Sequence, residues 1–232
     1  MRQMWRAFLL SMSLVALAPV EALAQADRPP MFPAEAHGAW QAIGRVNLMG
    51  YRQRTACSGT LVAPDLVVTA AHCVYRAGRP ARVDDIRFAA GWFRGKAAGV
   101  GRVRAVIFPR GWRPEAVSVE AAHADVALLE LAVPLDGIAP IPLTDGAGGA
   151  MRILGYRWDR PHALTDHAPC GGVARYAPAL ALTCRVVQGT SGAPVLTEEA
   201  GGWRVMGVTS ASGGGLTLAA PVFADDIPRW RP

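Results

Sequence analysis

The stretch Gln188–Pro194 reads QGTSGAP and places Ser191 between two glycines, ahead of a proline. Because glycine has no Cβ, Gly189 can take backbone angles that bring its N–H beside the N–H of Ser191. Two converging N–H groups next to a serine hydroxyl suit the stabilisation of an oxyanion. The same residues also suit an ordinary loop, since Gly and Ser are common in turns. The turn becomes a candidate reactive site if the chain also supplies a base for Ser191 and an acid that orients the base.

Two other segments offer those groups. His72 follows the apolar, β-branched run Leu66–Ala70, and an imidazole held at a strand end can act as a general base near neutral pH. Asp125 opens a strongly apolar run, where a carboxylate costs stability unless a partner donates a hydrogen bond to it. The alternatives are a structural histidine and a strand-start cap. His123, two residues before Asp125, is the rival imidazole.

Length, composition and charge narrow the class of protein. The 232 residues are 51% hydrophobic and 18% charged, which is a globular composition, long enough for one large domain or two small ones. The 25 Gly and 18 Pro follow no period, which indicates many turns between short strands. The net charge of +6 comes from scattered arginines, with Lys96 as the only lysine, so nucleic acid is not expected as a partner.

The N-terminus has the form of a secretory signal peptide. Two arginines precede an apolar run over residues 7–20, and a small-x-small cleavage site ends at Ala24. We predict that residues 1–24 are removed, leaving 232 − 24 = 208 residues in a secreted or periplasmic protein without stable membrane insertion. An uncleaved anchor is the alternative. Residues 25–39, rich in proline, are expected to form a loose lead-in or a short propeptide.

Four cysteines in an exported chain suggest two disulfides, with three possible connectivities. Their positions fall into two local pairs, which predicts the bonds Cys57–Cys73 and Cys170–Cys184. Each bond closes a loop of about 15 residues and contributes roughly 3 kcal/mol in the chain-entropy model. A zinc site is the competing interpretation, but the close C-x(2–4)-C spacing that it favours is missing from the sequence.

Short apolar or alternating runs separated by turn residues predict strands along most of the chain. The predicted strands cover residues 43–48, 57–62, 66–70, 83–93, 100–109, 151–158, 172–176, 180–184, 193–196, 203–210 and 216–223. The sequence has no long helical period, which favours an all-β protein. The proline-containing segment 133–142 is interpreted as a linker between a unit at 40–132 and a second at 143–232, which ends in a short helical turn.

Three blocks together resemble one family. TAAHC at 69–73, DVALL at 125–129 and GTSGAP at 189–194 resemble the signature segments of the chymotrypsin/trypsin-like serine proteases, in that family's order. The resemblance covers about residues 40–223. It implies two six-stranded Greek-key β-barrels with the active site in the cleft between them, and a serine endopeptidase that acts on protein or peptide substrates.

The resemblance also implies residue roles. Ser191 would be the nucleophile, His72 the general base and Asp125 the residue that orients His72. The N–H groups of Gly189 and Ser191 would form the oxyanion hole. No cofactor or metal is expected, and the protein is expected to be a monomer. A catalytically silent relative that acts as a binding protein is the alternative, although silent relatives generally lose a triad residue.

The departures from the family concern activation and specificity. Thr190 stands where the animal enzymes carry an aspartate that pairs with a newly released N-terminus, so the protein resembles bacterial trypsin-like and glutamyl-endopeptidase-like members more closely. Arg185 occupies the pocket-base position and would favour an acidic side chain, or it points to solvent if the loop is re-threaded. Residues Ser210, Ala211 and Ser212 would pair with substrate backbone. Ser212 replaces the usual glycine, which predicts a narrower pocket mouth.

Overall fold

The fold was derived from a computed structural model. It describes residues 29–49, 57–114, 118–146, 150–171, 173–176, 178–213 and 215–230, with the side chains of 173–176 excepted. The predicted signal peptide at 1–24 and the first residue of the strand predicted at 172–176 lie outside the described residues.

Six strands of the first half close into an antiparallel barrel. Their order around the barrel is β1-β2-β3-β8-β7-β6. The strands are β1 (Ile43–Leu48), β2 (Cys57–Ala63), β3 (Leu66–Thr69), β6 (Ile86–Ala90), β7 (Gly99–Ile107) and β8 (Ala127–Leu131). Closure leaves β1 and β3 buried along their whole length, including the polar side chains of Arg45 and Asn47 in β1 and Thr69 in β3.

Seven strands of the second half form one sheet in the order β10-β9-β13-β14-β15-β12-β11. They are β9 (Met151–Arg157), β10 (Arg160–Asp166), β11 (Val173–Tyr176), β12 (Ala179–Leu182), β13 (Pro194–Glu199), β14 (Gly202–Gly213) and β15 (Leu216–Pro221). The all-β prediction is confirmed. The expected six strands of the second unit are seven among the described residues, because β10 pairs with β9 at the edge of the sheet and was not among the predicted strands.

Short elements fill the connections. A two-stranded ribbon pairs β4 (Tyr75–Arg76) with β5 (Arg79–Pro80), and 3-10 helices cover Ala34–Trp40, Ala71–Val74 and Val83–Asp85. One α-helix spans Val119–Ala124, and another spans Asp226–Trp230 near the C-terminus. No helix in the described part of the chain is both long enough and apolar enough to cross a membrane.

The segment before β1 is packed against the body of the protein. Phe32 N–H donates to the Leu164 carbonyl of β10 at 2.8 Å, and the Trp40 and Trp203 rings lie 5.6 Å apart. His37 is buried against Phe93, with 4.2 Å between the ring centroids. Phe32 and His37 thus hold the described residues 29–39 against the body of the protein, and their assignment as a lead-in or a short propeptide stays a prediction.

Candidate active site

His72 and Asp125 meet at the rim of the barrel. The chain leaves β3 and enters the 3-10 helix Ala71–Val74, which carries His72. Asp125 is the C-cap of the helix Val119–Ala124, immediately before β8. The His72 backbone N–H donates to Asp125 Oδ1 at 2.9 Å, and His72 Nδ1 lies 2.7 Å from Asp125 Oδ2. These two contacts hold one edge of the imidazole in a fixed orientation.

The Asp125 carboxyl is ionised although it is buried. Only 6% of the residue is exposed, and Ser210 Oγ donates to its Oδ2 at 2.6 Å. Burial by itself would raise the pKa of Asp125, but hydrogen bonding to His72, the attraction of the imidazole and the Ser210 hydroxyl outweigh it, and the pKa lies below its ordinary value. The carboxylate can only accept, so His72 Nδ1 carries the proton and Nε2 presents a lone pair.

Ser191 lies on a turn that only glycine can flank. Gly189 and Gly192 have φ angles of 94° and 77°, in the left-handed region. A Cβ on Gly189 would lie 2.7 Å from the Trp158 nitrogen, and a Cβ on Gly192 would lie 2.3 Å from the Ser58 carbonyl oxygen. Both contacts are with backbone atoms, which cannot move aside cheaply.

The N–H groups of Gly189 and Ser191 belong to peptides whose carbonyls are already bonded. The carbonyl before Gly189 accepts from Trp158 N–H at 2.9 Å, and the Thr190 carbonyl, before Ser191, accepts from Ala193 N–H at 2.9 Å. Because C=O and N–H point in opposite directions in a trans peptide, these bonds set the direction of both N–H groups. Within the described residues, neither N–H donates to another protein atom.

Ser58, near the start of β2, joins this turn to the barrel. It is fully buried, and its N–H donates to the Ser191 carbonyl at 2.8 Å. Its Oγ donates to the Gly189 carbonyl at 3.1 Å and accepts from Tyr156 N–H at 2.9 Å. Sequence analysis placed Ser58 only in a strand. Its partners lie 98 to 133 positions away, so no local pattern indicates them.

The turn and the base come from different units and face one another. A Cβ on Gly192 would lie 2.9 Å from the nitrogen of Ala70, two residues before His72. Among the described residues, no hydrogen bond joins the Ser191 hydroxyl to His72 Nε2, which lies 3.8 Å from Cys73 Sγ. In hydrolases of this type, that contact is often loose without substrate.

A basic cavity of about 680 Å³ adjoins the Ser191 turn. Arg185 is exposed, as expected if the loop is re-threaded, but it still lines this cavity. Ser212 and the buried residues Arg157 and His167 line it as well. Arg157 makes a bidentate pair with Asp159 at 2.9 Å. The residues that line this cavity are Pro29, Pro30, Arg157, His167, Ala168, Pro169, Cys184, Arg185, Val186, Val187, Ser212, Gly213 and Gly215.

His167 shapes this cavity from the inside and was missed by sequence analysis. Its Nδ1 lies 3.0 Å from the Arg185 carbonyl, and its Nε2 is buried without a partner among the described residues. Burial lowers its pKa to about 4, so the ring is neutral near pH 7 and donates through Nδ1–H. The residue lies far from the three sequence blocks, and nothing in its local pattern distinguishes it.

A second cavity of about 550 Å³ lies on the other side of the strand Ser210–Ser212. His72 and Asp125 border it, and Trp112, Val119 and Leu218 make much of its wall apolar. Trp112 stacks on Phe108 with 4.8 Å between centroids. Ser210 and Ala211 also border the small cavity that contains Ser191. These residues therefore connect the Ser191 turn with the His72 side of the cleft.

The remaining predictions concern cysteines and the rival histidine. Both predicted disulfides form, Cys57–Cys73 and Cys170–Cys184, with S–S distances of 2.02 and 2.19 Å. The sulfurs of Cys57 and Cys73 lie beside His72, but both are consumed by the disulfide and cannot act as thiolate ligands. His123 lines separate cavities with Pro221 and Phe223, away from Ser191.

The fold and site together define a two-unit β serine hydrolase. Solved structures with this fold include a Glu endopeptidase bound to MPD, which is 19% identical with a TM-score of 0.67, covering 87% of this chain and 94% of the other. The thermostable serine protease AL20 from an extremophilic microorganism is 17% identical with a TM-score of 0.66, covering 83% and 96%. Protease Anisep from Arthrobacter nicotinovorans is 19% identical with a TM-score of 0.62, covering 78% and 90%.

A sequence model of the trypsin-like peptidase domain matches residues 57–208, about two thirds of the chain. The protein belongs to this family, and it is a serine endopeptidase that acts on protein or peptide substrates.

Proposed function

We propose that this peptidase cleaves with Ser191 as nucleophile, His72 as general base and Asp125 as the residue that orients the base. The observation that carries the proposal is the buried, ionised Asp125 bonded to His72 Nδ1, on a rim that faces the Ser191 turn. His72 is thereby held in the tautomer that accepts a proton at Nε2.

The first half-reaction forms an acyl-enzyme. Ser191 Oγ attacks the scissile carbonyl carbon while His72 Nε2 takes the hydroxyl proton. The carbonyl oxygen becomes an oxyanion and accepts hydrogen bonds from the N–H groups of Gly189 and Ser191, which have no other acceptor among the described residues. His72 then gives its proton to the leaving amine as the C–N bond breaks.

The second half-reaction restores the enzyme. A water molecule enters the place of the amine and attacks the acyl carbon while His72 Nε2 takes its proton. The same two N–H groups stabilise the second oxyanion. The bond to Ser191 Oγ breaks, His72 returns the proton to this oxygen, and the carboxylic acid product leaves. Asp125 stays ionised and stabilises the imidazolium in both halves.

Substrate backbone is proposed to pair with the end of β14. The register between β13 and β14 begins at Pro194 and Val208, and the last backbone bonds across this edge involve Thr209. Beyond Thr209, Ser210 lies at a register irregularity, and Ala211 and Ser212 pair only with β15 in the described part of the chain. The other edge is therefore available to an extended peptide by β-augmentation.

An acidic residue before the scissile bond is the proposed preference. Arg157, His167 and Arg185 all line the cavity next to the turn, and no carboxylate stands among its described lining residues. A substrate carboxylate entering this cavity would gain charge-assisted hydrogen bonds. His167, neutral near pH 7, contributes by holding the Arg185 backbone through its Nδ1–H.

We also propose that the protein is exported and works outside the cytoplasm as a monomer. The signal-like residues 1–24 and the two disulfides support an oxidising location. No part of the proposed mechanism requires a cofactor.

Labelling with a phosphonofluoridate tests the proposal. The folded mature protein should gain one covalent adduct on Ser191, with loss of fluoride, and Ser191→Ala should lose both the adduct and peptide hydrolysis. His72→Ala should also lose hydrolysis, whereas the matched variant His123→Ala should keep it. A folded wild-type protein that gains no adduct would favour a catalytically silent binding protein instead.

A further inference from the structure

No ion pair holds the Ser191 turn among the residues that the structure describes. Thr190 stands next to the nucleophile, and its side chain is fully buried and uncharged. Hydrogen bonds must therefore hold the turn in place, a task that an ion pair at this position could otherwise perform. Four consecutive peptide groups, from 188 to 192, have bonded carbonyls, and the bonds on the Gly189 and Ser191 carbonyls come from Ser58.

We propose that Ser58 is the positioning residue of the oxyanion hole in this protein. Its Oγ bond to the Gly189 carbonyl fixes the peptide between Gly189 and Thr190, and its N–H fixes the peptide after Ser191. These two peptides lie on either side of the peptide that carries the Ser191 N–H. The peptide between Gly189 and Thr190 shares a Cα with the peptides of both oxyanion donors, so its rotation would turn both. The peptide after Ser191 shares a Cα only with the peptide of the Ser191 N–H, so its rotation would turn that donor.

Ser58 is itself held from three directions. Its carbonyl accepts from Thr69 Oγ1 at 2.7 Å, its Oγ accepts from Tyr156 N–H at 2.9 Å, and its neighbour Cys57 is bonded to Cys73. Because Tyr156 N–H donates to this oxygen, the Ser58 hydroxyl proton is left to point at the Gly189 carbonyl. The hydroxyl thus has one defined orientation.

Close packing around the hydroxyl leaves little space for a substitute. A Cβ on Gly155 would lie 3.2 Å from Ser58 Oγ and 3.1 Å from Thr190 Cγ2. Loss of the hydroxyl would leave the Gly189 carbonyl and the Tyr156 N–H without this partner in the interior. The turn would then sample orientations in which the two donors no longer converge.

The test is to measure kcat and KM of the Ser58→Ala variant. The concentration of active sites is taken from the acylation burst, so that kcat is expressed per active site. This inference rests on the proposed mechanism. Loss of an oxyanion donor costs about 10²- to 10³-fold in kcat, so misalignment should lower kcat by roughly 10- to 100-fold. KM should change little, because substrate pairing with β14 is untouched. Binding of a peptide aldehyde, whose hemiacetal oxygen occupies the oxyanion hole, should weaken in parallel with kcat.

Tyr156→Phe is the matched control. It removes a buried hydroxyl that donates to the Trp92 carbonyl at 2.8 Å, and it leaves the Tyr156 N–H on Ser58 in place. We expect a comparable loss of stability and an unchanged kcat. If Ser58→Ala does not fold, Ser58→Gly is used, since a water molecule can fill the vacated space and pair both groups loosely. In Ser58→Gly, kcat and the affinity for the peptide aldehyde should both fall, but by less than in Ser58→Ala.

The outcomes separate the two proposals. Wild-type kcat and aldehyde affinity in a folded Ser58 variant would overturn the role of Ser58 and leave the triad standing. A wild-type protein that is not labelled at Ser191 would overturn the mechanism itself.

Discussion

Single residues in the site owe their chemistry to their surroundings, which differ from one residue to the next. Asp125 is an ionised acceptor because His72 and Ser210 bond to it inside the protein. His167 stays neutral because burial lowers its pKa to about 4. Arg185, by contrast, is exposed at the edge of its cavity, where its guanidinium can meet a substrate without first being desolvated.

Arg185→Ala should reduce cleavage after glutamate selectively. A hydrogen bond to a charged group is worth about 1.5–3 kcal/mol, which corresponds to roughly 10- to 100-fold in kcat/KM for glutamate substrates. Matched glutamine substrates should be cut as before. The control is Arg79→Ala, which removes an exposed arginine on the β4–β5 ribbon. An unchanged cleavage profile on a peptide library would reject the acidic preference.

At the level of elements, the two disulfides have different neighbours. Cys57 precedes Ser58, which contacts the Ser191 turn, and Cys73 follows His72, so this bond joins the neighbours of Ser58 and His72. Cys184, in the other bond, precedes Arg185 and lines the basic cavity. The bonds are otherwise alike, with sequence separations of 16 and 14 residues.

Removal of each disulfide should therefore cost similar stability and different activity. In the chain-entropy model, each Cys-to-Ala pair should lower the free energy of unfolding by about 3 kcal/mol, measured by urea denaturation. Where both variants are folded, the pair at 57 and 73 should lower kcat, and the pair at 170 and 184 should raise KM for acidic substrates. The same kinetic defect in both variants would contradict this assignment.

At the scale of the whole molecule, the segment before β1 ties the two units together. Phe32 bonds to Leu164 of β10, while Trp40 packs in the core that also contains Ile43 and Trp203. The Arg160 guanidinium donates to the Pro29 carbonyl at 2.7 Å. The segment thus stabilises the assembly of the units, and the uncharged Thr190 gives a new N-terminus no acidic partner at that position.

A chain that begins at Gln25 should be active without a further cut. For a chain that begins at Gln41, the free energy of unfolding should fall by several kcal/mol, since burial of Phe32 and Trp40 contributes about 2 kcal/mol each. Activity, N-terminal sequencing and thermal unfolding of both purified chains would check this. A chain from Gln25 that stays inert until it is clipped within residues 25–40 would show that activation by proteolysis operates after all.

The local sequence was enough to predict most strands, both disulfides and the three candidate catalytic residues. Strand periodicity, cysteine spacing and the three blocks around His72, Asp125 and Ser191 are all short-range patterns, because strand pairing and tight turns impose their residue choices locally. The strand β10 escaped this kind of prediction, since its place at the edge of the sheet depends on pairing with β9.

The tertiary structure alone decided what surrounds those residues. The Ser58 contacts with Gly189 and Tyr156, the entry of His167 into the basic cavity and the packing of residues 29–40 all join positions far apart in the chain. Such contacts leave no period or spacing in the sequence, because a buried hydroxyl or imidazole is chosen by the groups that folding brings to it. The sequence by itself determined which groups can react, and the packing of the two units decided how they are held.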